Sequence, residues 1–153
     1  MRKNRKEEVR KNKYGVIIHL VADDEVCDVC GGSTGEHTFL PGMCDAHTHG
    51  LKERGFTELQ MVLRWDNEYI GYVLNTVAEK VIKGEIEEKN RALVRDFFGD
   101  GASIRLDRRT DNFGEDVYRI VIPDGSFRMP EESDEYPYNM QINSPYIKDQ
   151  WGT

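Results

Sequence analysis

The sequence is sparing with the residues that bind metals: only 3 of its 153 residues are cysteine and 4 are histidine, and no histidine follows His49. Long apolar runs are also missing. The best candidate, YGVIIHLVA, is far shorter than the ~20 residues of a membrane helix and is broken by His19. The basic start, MRKNRKEEVRKNK, is followed by neither a smooth apolar stretch nor a small-residue cleavage site, so it does not read as a signal peptide. No membrane partner is expected, and the expected compartment is the cytoplasm. Thiols stay reduced there, and clustered cysteines serve as metal ligands more often than as disulfides. The length fits one domain and excludes a closed (β/α)₈ barrel, which needs roughly 200 residues or more. With 38% hydrophobic and 32% charged residues the core is modest, so any additional staple matters.

What is scarce is also concentrated. All three cysteines and three of the four histidines lie between Cys27 and His49. The order is Cys27-x2-Cys30, thirteen residues, Cys44-x2-His47, then His49. Two ligand pairs, each separated by two residues, can form tight turns that point both donors at one ion, and the intervening loop lets the pairs meet in a tetrahedron. Thiolate plus imidazole favours Zn²⁺. The expected ligands are Cys27, Cys30, Cys44 and His47. His49 is the reserve, because residues two apart in an extended segment project to the same face. His37 is expected to be exposed, and His19, alone in an apolar strand, to be a structural histidine.

Charge divides the chain. Residues 1–13 carry seven Lys/Arg and two Glu, while the whole chain has a net charge of −7, so the body is strongly acidic. A basic arm can tether nucleic acid, but an acidic body repels phosphate backbones, so nucleic-acid binding is possible and not favoured.

The elements expected after the arm begin with a strand over residues 14–22 and a Gly- and Pro-punctuated metal-clamped loop over 27–49. A second strand over 56–64 places Leu59, Met61 and Leu63 on one face. From Asn67 to Lys83 the apolar period changes to 3.6, with Ile70, Val73, Leu74, Val77, Val81 and Ile82 in one stripe. Asp66 or Asn67 suits the N-cap and Gly84 the C-terminal turn. A second helix is expected over Ile86–Phe98, then a hairpin of strands 104–108 and 117–122. Residues 124–153 read as an irregular tail that wraps the body, pinned by Phe127, Tyr136, Tyr138 or Trp151. The expected fold class is α+β: a small, mostly antiparallel sheet with one or two helices and a zinc-clamped loop. The domain spans residues 14–123.

Two short resemblances point toward catalysis. LPGMCDAHTHG, residues 40–50, resembles the first-strand metal motif of the amidohydrolase superfamily. That superfamily is a barrel needing further histidine ligands downstream, and this chain has none. The same His-Thr-His resembles the JAMM isopeptidase motif. Gly50 stands in place of its proline, however, and the stretch Thr57–Gln60 contains no aspartate for the third ligand.

A third resemblance covers about residues 14–141. Cys-x-x-Cys-Gly, His-Thr-His-Gly at 47–50, FTELQMVL, NEYIGYVLNTVAEKVIKGE, RLD, VIPD and a late PYN occur in that order. Together they resemble a bacterial and phage-borne domain family of unknown function. The resemblance implies an α+β body and a metal cluster at Cys27, Cys30, His47 and His49, and it implies no activity.

The expected function is therefore a small zinc-binding module with a mainly structural metal, serving as a binding or adaptor domain for a protein or small molecule. The alternative is a metal-dependent hydrolase in which His47 and His49 hold the ion and Glu58 or Glu53 acts as base.

Overall fold

The computed structural model describes residues 14–21, 39–111 and 114–150. The basic arm, Cys27, Cys30, His37 and Trp151 lie outside the described residues.

Six strands form one sheet: β1 (Ile17–Val21), β2 (Met43–His49), β3 (Glu58–Leu63), β4 (Arg91–Val94), β5 (Ile104–Thr110) and β6 (Asp116–Val121), with one α-helix, α1 (Asn67–Ile82). The order across the sheet is β1-β2-β3-β6-β5-β4. All neighbours run antiparallel except β3 and β6, which are parallel. The α+β class with a mostly antiparallel sheet is thus the observed one. Among the described residues no helix is long and apolar enough to cross a membrane.

α1 forms where the 3.6 period demands it. Asp66 is extended at the N-cap and accepts a bond from Tyr69 N (3.0 Å), a contact worth about 1 kcal/mol. Ile70, Val73, Leu74, Val77, Ala78 and Val81 are buried. They pack with Cys44, Ala46, Leu59, Met61, Ile104, Leu106, Tyr118 and Ile120 of the sheet in one apolar cluster. Gly84, at φ +78, turns the chain away after the helix.

Two expectations are corrected. Residues 86–98 do not form a second helix. Arg91–Val94 is instead the edge strand β4, paired with β5, and Leu93 is 51% exposed. The backbone polar groups of β5 gain partners from this pairing, which outweighs the partial helical stripe. The expected 27–49 loop is also strand in its last part, since Met43–His49 is β2, seated between β1 and β3. Its alternation was concealed because its second face is polar: Asp45, His47 and His49 share that face, and Cys44, Ala46 and Thr48 the other.

The sheet has α1 on one face and the chain after β6 on the other. Gln141, fully buried, bonds both Ile122 N (2.8 Å) and Ile122 O (2.6 Å). Arg119 donates to the carbonyls of Gln141 (2.9 Å) and Asn143 (2.8 Å), and the Phe39 and Tyr146 rings lie 4.7 Å apart. The tail does wrap the body, held by these polar anchors and by two of the expected pins: Tyr138 packs against the core cluster, and the Tyr136 hydroxyl donates to Pro41 O at 2.5 Å, whereas Phe127 is 61% exposed.

Beneath the tail a single transverse row crosses all six strands: His19 opposite His47, His47 opposite Gln60, Gln60 opposite Arg119, Arg119 opposite Asp107 and Asp107 opposite Arg91. Every member is polar. The histidines occupy one end of this row.

Candidate metal centre

Register brings the histidines together. His19 on β1 faces His47 on β2, and Ile17 faces His49, so His19, His47 and His49 project from the same face. Their ligand atoms lie within 4.8 Å of one another. Ring centroids are 4.1 Å apart for His19 and His49, 4.9 Å for His47 and His49, and 5.4 Å for His19 and His47. A Zn–N bond is roughly 2.1 Å, so modest rotation of these rings would close all three onto one ion.

His19 carries the most direct sign of a missing partner. The residue is 8% exposed, yet its Nδ1 is buried and has no hydrogen-bond partner. A buried unsatisfied nitrogen costs free energy, and a metal ion would satisfy it. Burial, with the neighbouring His49 and His47 adding to it, pushes the His19 imidazole down to about 4, so it is neutral and its lone pair is available at neutral pH. His49 is likewise lowered, first by burial and then by His47, against the opposing charges of Glu58 and Glu53.

His47 is held from behind. Its Nδ1 lies 3.2 Å from Asp45 Oδ1, which also accepts from Gln60 Nε2 (3.1 Å), while Asp45 Oδ2 accepts from Tyr146 Oη (2.9 Å). Burial pushes the Asp45 carboxyl up, but the His47 bond and charge and the Gln60 and Tyr146 bonds outweigh it, leaving a net shift downward. An ionised carboxylate only accepts, so Nδ1 of His47 carries the proton and Nε2 faces outward for a ligand. This is the carboxylate–histidine arrangement that orients metal-binding imidazoles. Gln60 in turn is fixed by Arg119, whose Nε (3.0 Å) and Nη2 (2.8 Å) donate to its Oε1.

The turn after His49 is equally constrained. Gly50 has φ +120, and a Cβ there would lie 2.8 Å from the carbonyl oxygen of Gly15, so only glycine fits against the start of β1. The Glu58 carboxylate accepts from Thr48 Oγ1 (2.7 Å), Gly50 N (3.1 Å), Leu51 N (3.3 Å) and Lys52 N (2.9 Å). It is engaged as a backbone clamp, whereas Glu53, exposed in the short 3-10 turn Lys52–Arg54, lines the cleft and acts by its charge on His49.

The centre borders a cleft of about 800 Å³ whose lining includes His47, His49, Glu53, Asp111, Glu115 and Asp116. Its wall is therefore acidic, with Lys52 ion-paired to Glu115 at 3.3 Å.

Of the expected ligands, His47 and the reserve His49 lie in this group. Cys44 does not. It is completely buried on the face toward α1, and its thiol donates to Leu63 O at 3.4 Å. Strand alternation separates it from His47, because positions 44 and 47 of one strand point to opposite faces. His19, expected to be structural, belongs to the group instead. Sequence reading also missed Asp45, Gln60 and Tyr146. For Asp45 a signal existed, since Asp-x-His-x-His in a strand places all three side chains on one face.

The chain matches no protein-family model, no curated protein and no solved structure.

Proposed function

We propose that the protein is a zinc-dependent hydrolase whose metal is held by His19, His47 and His49 at the head of the acidic cleft. The observation that carries this reading is the convergence of three imidazoles, one with an unpartnered buried nitrogen, beside a cleft large enough for a substrate. Three protein ligands with a position left over are the pattern of working zinc sites, whereas structural sites close with four. Zinc bound there would supply Lewis acidity and a lowered pKa for water. Asp45 fixes the His47 tautomer, and Glu53 would take the proton of the attacking water and pass it to the leaving alcohol or amine as the acyl–oxygen or acyl–nitrogen bond breaks. The sheet buries its own apolar cluster with α1, so the fold has a core without the metal.

A second reading has its own support. Cys27 and Cys30 lie in the segment that joins β1 to β2, the two strands bearing the histidines. With those thiolates the site would close and act as a clamp for a binding or adaptor module, as the Cys-x-x-Cys and His-Thr-His-Gly resemblance implies.

Cobalt substitution separates the two. In the hydrolase reading the cobalt protein shows no thiolate charge-transfer band, and its visible spectrum shifts when azide occupies the open position. Substitution of Glu53 by Gln should lower the hydrolysis of activated esters or amides by about 100-fold with zinc content unchanged. A strong thiolate band with no response to azide overturns the hydrolase reading in favour of the clamp.

A further inference from the structure

A second cavity, of about 610 Å³, lies at the other end of the sheet and is walled by Trp65, Tyr69, Phe98 and Phe127. Because β3 and β6 are parallel, their carboxyl ends emerge side by side. Trp65 follows β3, and the turn at residues 124–128 follows β6, so the two segments face one another across this space. The acidic cleft beside the three histidines opens at the opposite ends of the same two strands, where Glu58 and Val117 line it.

The rings stand at steep angles, as the walls of a box do. Trp65 and Tyr69 have centroids 6.1 Å apart and planes inclined at 78°, and Trp65 and Phe98 are also 6.1 Å apart, inclined at 52°. Tyr69 is 55% and Phe127 61% exposed, so these faces are not used up in the core. Phe127 also holds a left-handed backbone, φ +64, which a non-glycine residue adopts only when its surroundings impose it. The imposing group is Asp124, whose carboxylate accepts from Ser126 N (2.8 Å), Arg128 N (2.9 Å) and Ser133 Oγ (2.5 Å) and so fixes the turn that presents the ring.

Charge selects the occupant. Asp66, Asp100 and Asp124 line the cavity, and among the described residues no lysine, arginine or histidine does. Asp124 is matched by Arg128 (3.2 Å), whereas Asp66 and Asp100 each turn one oxygen to a backbone N–H, of Tyr69 and Ala102. Aromatic faces attract cations through their quadrupoles, and they favour quaternary ammonium groups, which carry charge with little need of water. Nearby carboxylates add to that attraction and oppose anions.

We infer that this aromatic cavity is a binding site for a small molecule bearing a quaternary ammonium group, held over Trp65, Tyr69, Phe98 and Phe127 and complemented by Asp66 and Asp100.

Choline serves as the probe, and 3,3-dimethylbutan-1-ol, of the same shape without the charge, as the control. Isothermal titration of the full chain should show one saturable choline site, with the neutral isostere at least tenfold weaker. The indole resonance of Trp65 should shift in the same titration. Tyr69→Ala and Asp100→Asn should each weaken choline at least threefold while leaving thermal unfolding and zinc content unchanged. Equal affinity for the isostere would show a merely apolar cavity and overturn the inference. So would the absence of saturation, or choline binding indifferent to both substitutions.

Discussion

Asp45 Oδ1 lies 3.2 Å from Nδ1 of His47, two residues further along the same strand, and through Gln60 the same oxygen is coupled to Arg119. The imidazole is thereby oriented by a buried chain of polar groups. Tyr146, from the tail, closes this chain on its other side.

Asp45→Asn keeps the shape but turns one acceptor into a donor, facing the Tyr146 hydroxyl. Zinc affinity, measured by competition with a chromogenic chelator, should fall by about 10–100-fold, with the far-ultraviolet circular dichroism unchanged. A loss below threefold would remove Asp45 from the metal centre.

His19→Ala and Cys44→Ala should divide cleanly. The first removes a ligand and should abolish stoichiometric zinc binding. The second should leave zinc affinity within about twofold and lower unfolding stability in urea by about 1–2 kcal/mol, because Cys44 is packed in the core. If Cys44→Ala lost the metal while folding normally, the side of β2 assigned to Cys44 would be wrong.

Arg119 is buried, and its guanidinium is pushed down to about 10 by burial and then by the charge of Arg109, so it stays cationic at neutral pH. Arg119→Ala leaves Gln60 and the carbonyls of Gln141 and Asn143 without their donor. Unfolding should become easier by about 3 kcal/mol, and limited proteolysis should open residues 123–150 before the sheet. Cleavage at wild-type rates would show that Arg119 does not anchor the tail.

Acid should loosen the turn that follows β6. The Ser133 bond, against some burial, and then the backbone bonds of Arg128 and Ser126 with the charge of Arg128 hold the Asp124 carboxyl at about 2, below its ordinary 3.8. Between these values the unfolded chain binds more protons than the folded one, so stability rises with pH there. The contribution is present above pH 3.8 and is lost as pH falls through about 2. Asp124→Asn should flatten that limb of the curve of melting temperature against pH. An unchanged slope would mean that Asp124 contributes nothing to it.

The ease with which each element could be read follows from how local its cause is. α1 was legible because its stripe, its Asp66 cap and Gly84 all lie within a few turns of one another. β3, β5 and β6 showed themselves by short apolar runs between turn residues. β4 did not, because Leu93, Val94, Phe97 and Phe98 fit part of a helical stripe, and only the open edge of β5 decides against it. β2 was concealed because a polar face, Asp45, His47 and His49, replaces the apolar alternation that marks a strand.

The sequence by itself determined that Asp45, His47 and His49 would share one face, since Asp-x-His-x-His in extended chain puts three polar side chains on one side whatever surrounds it. It also determined α1 and the α+β class. Only the tertiary structure decided that His19 joins them and Cys44 does not. That outcome depends on the pairing of β1 with β2 and on which face of β2 meets α1. Strand partners are chosen by the whole sheet's burial of apolar surface, not by any spacing within a segment.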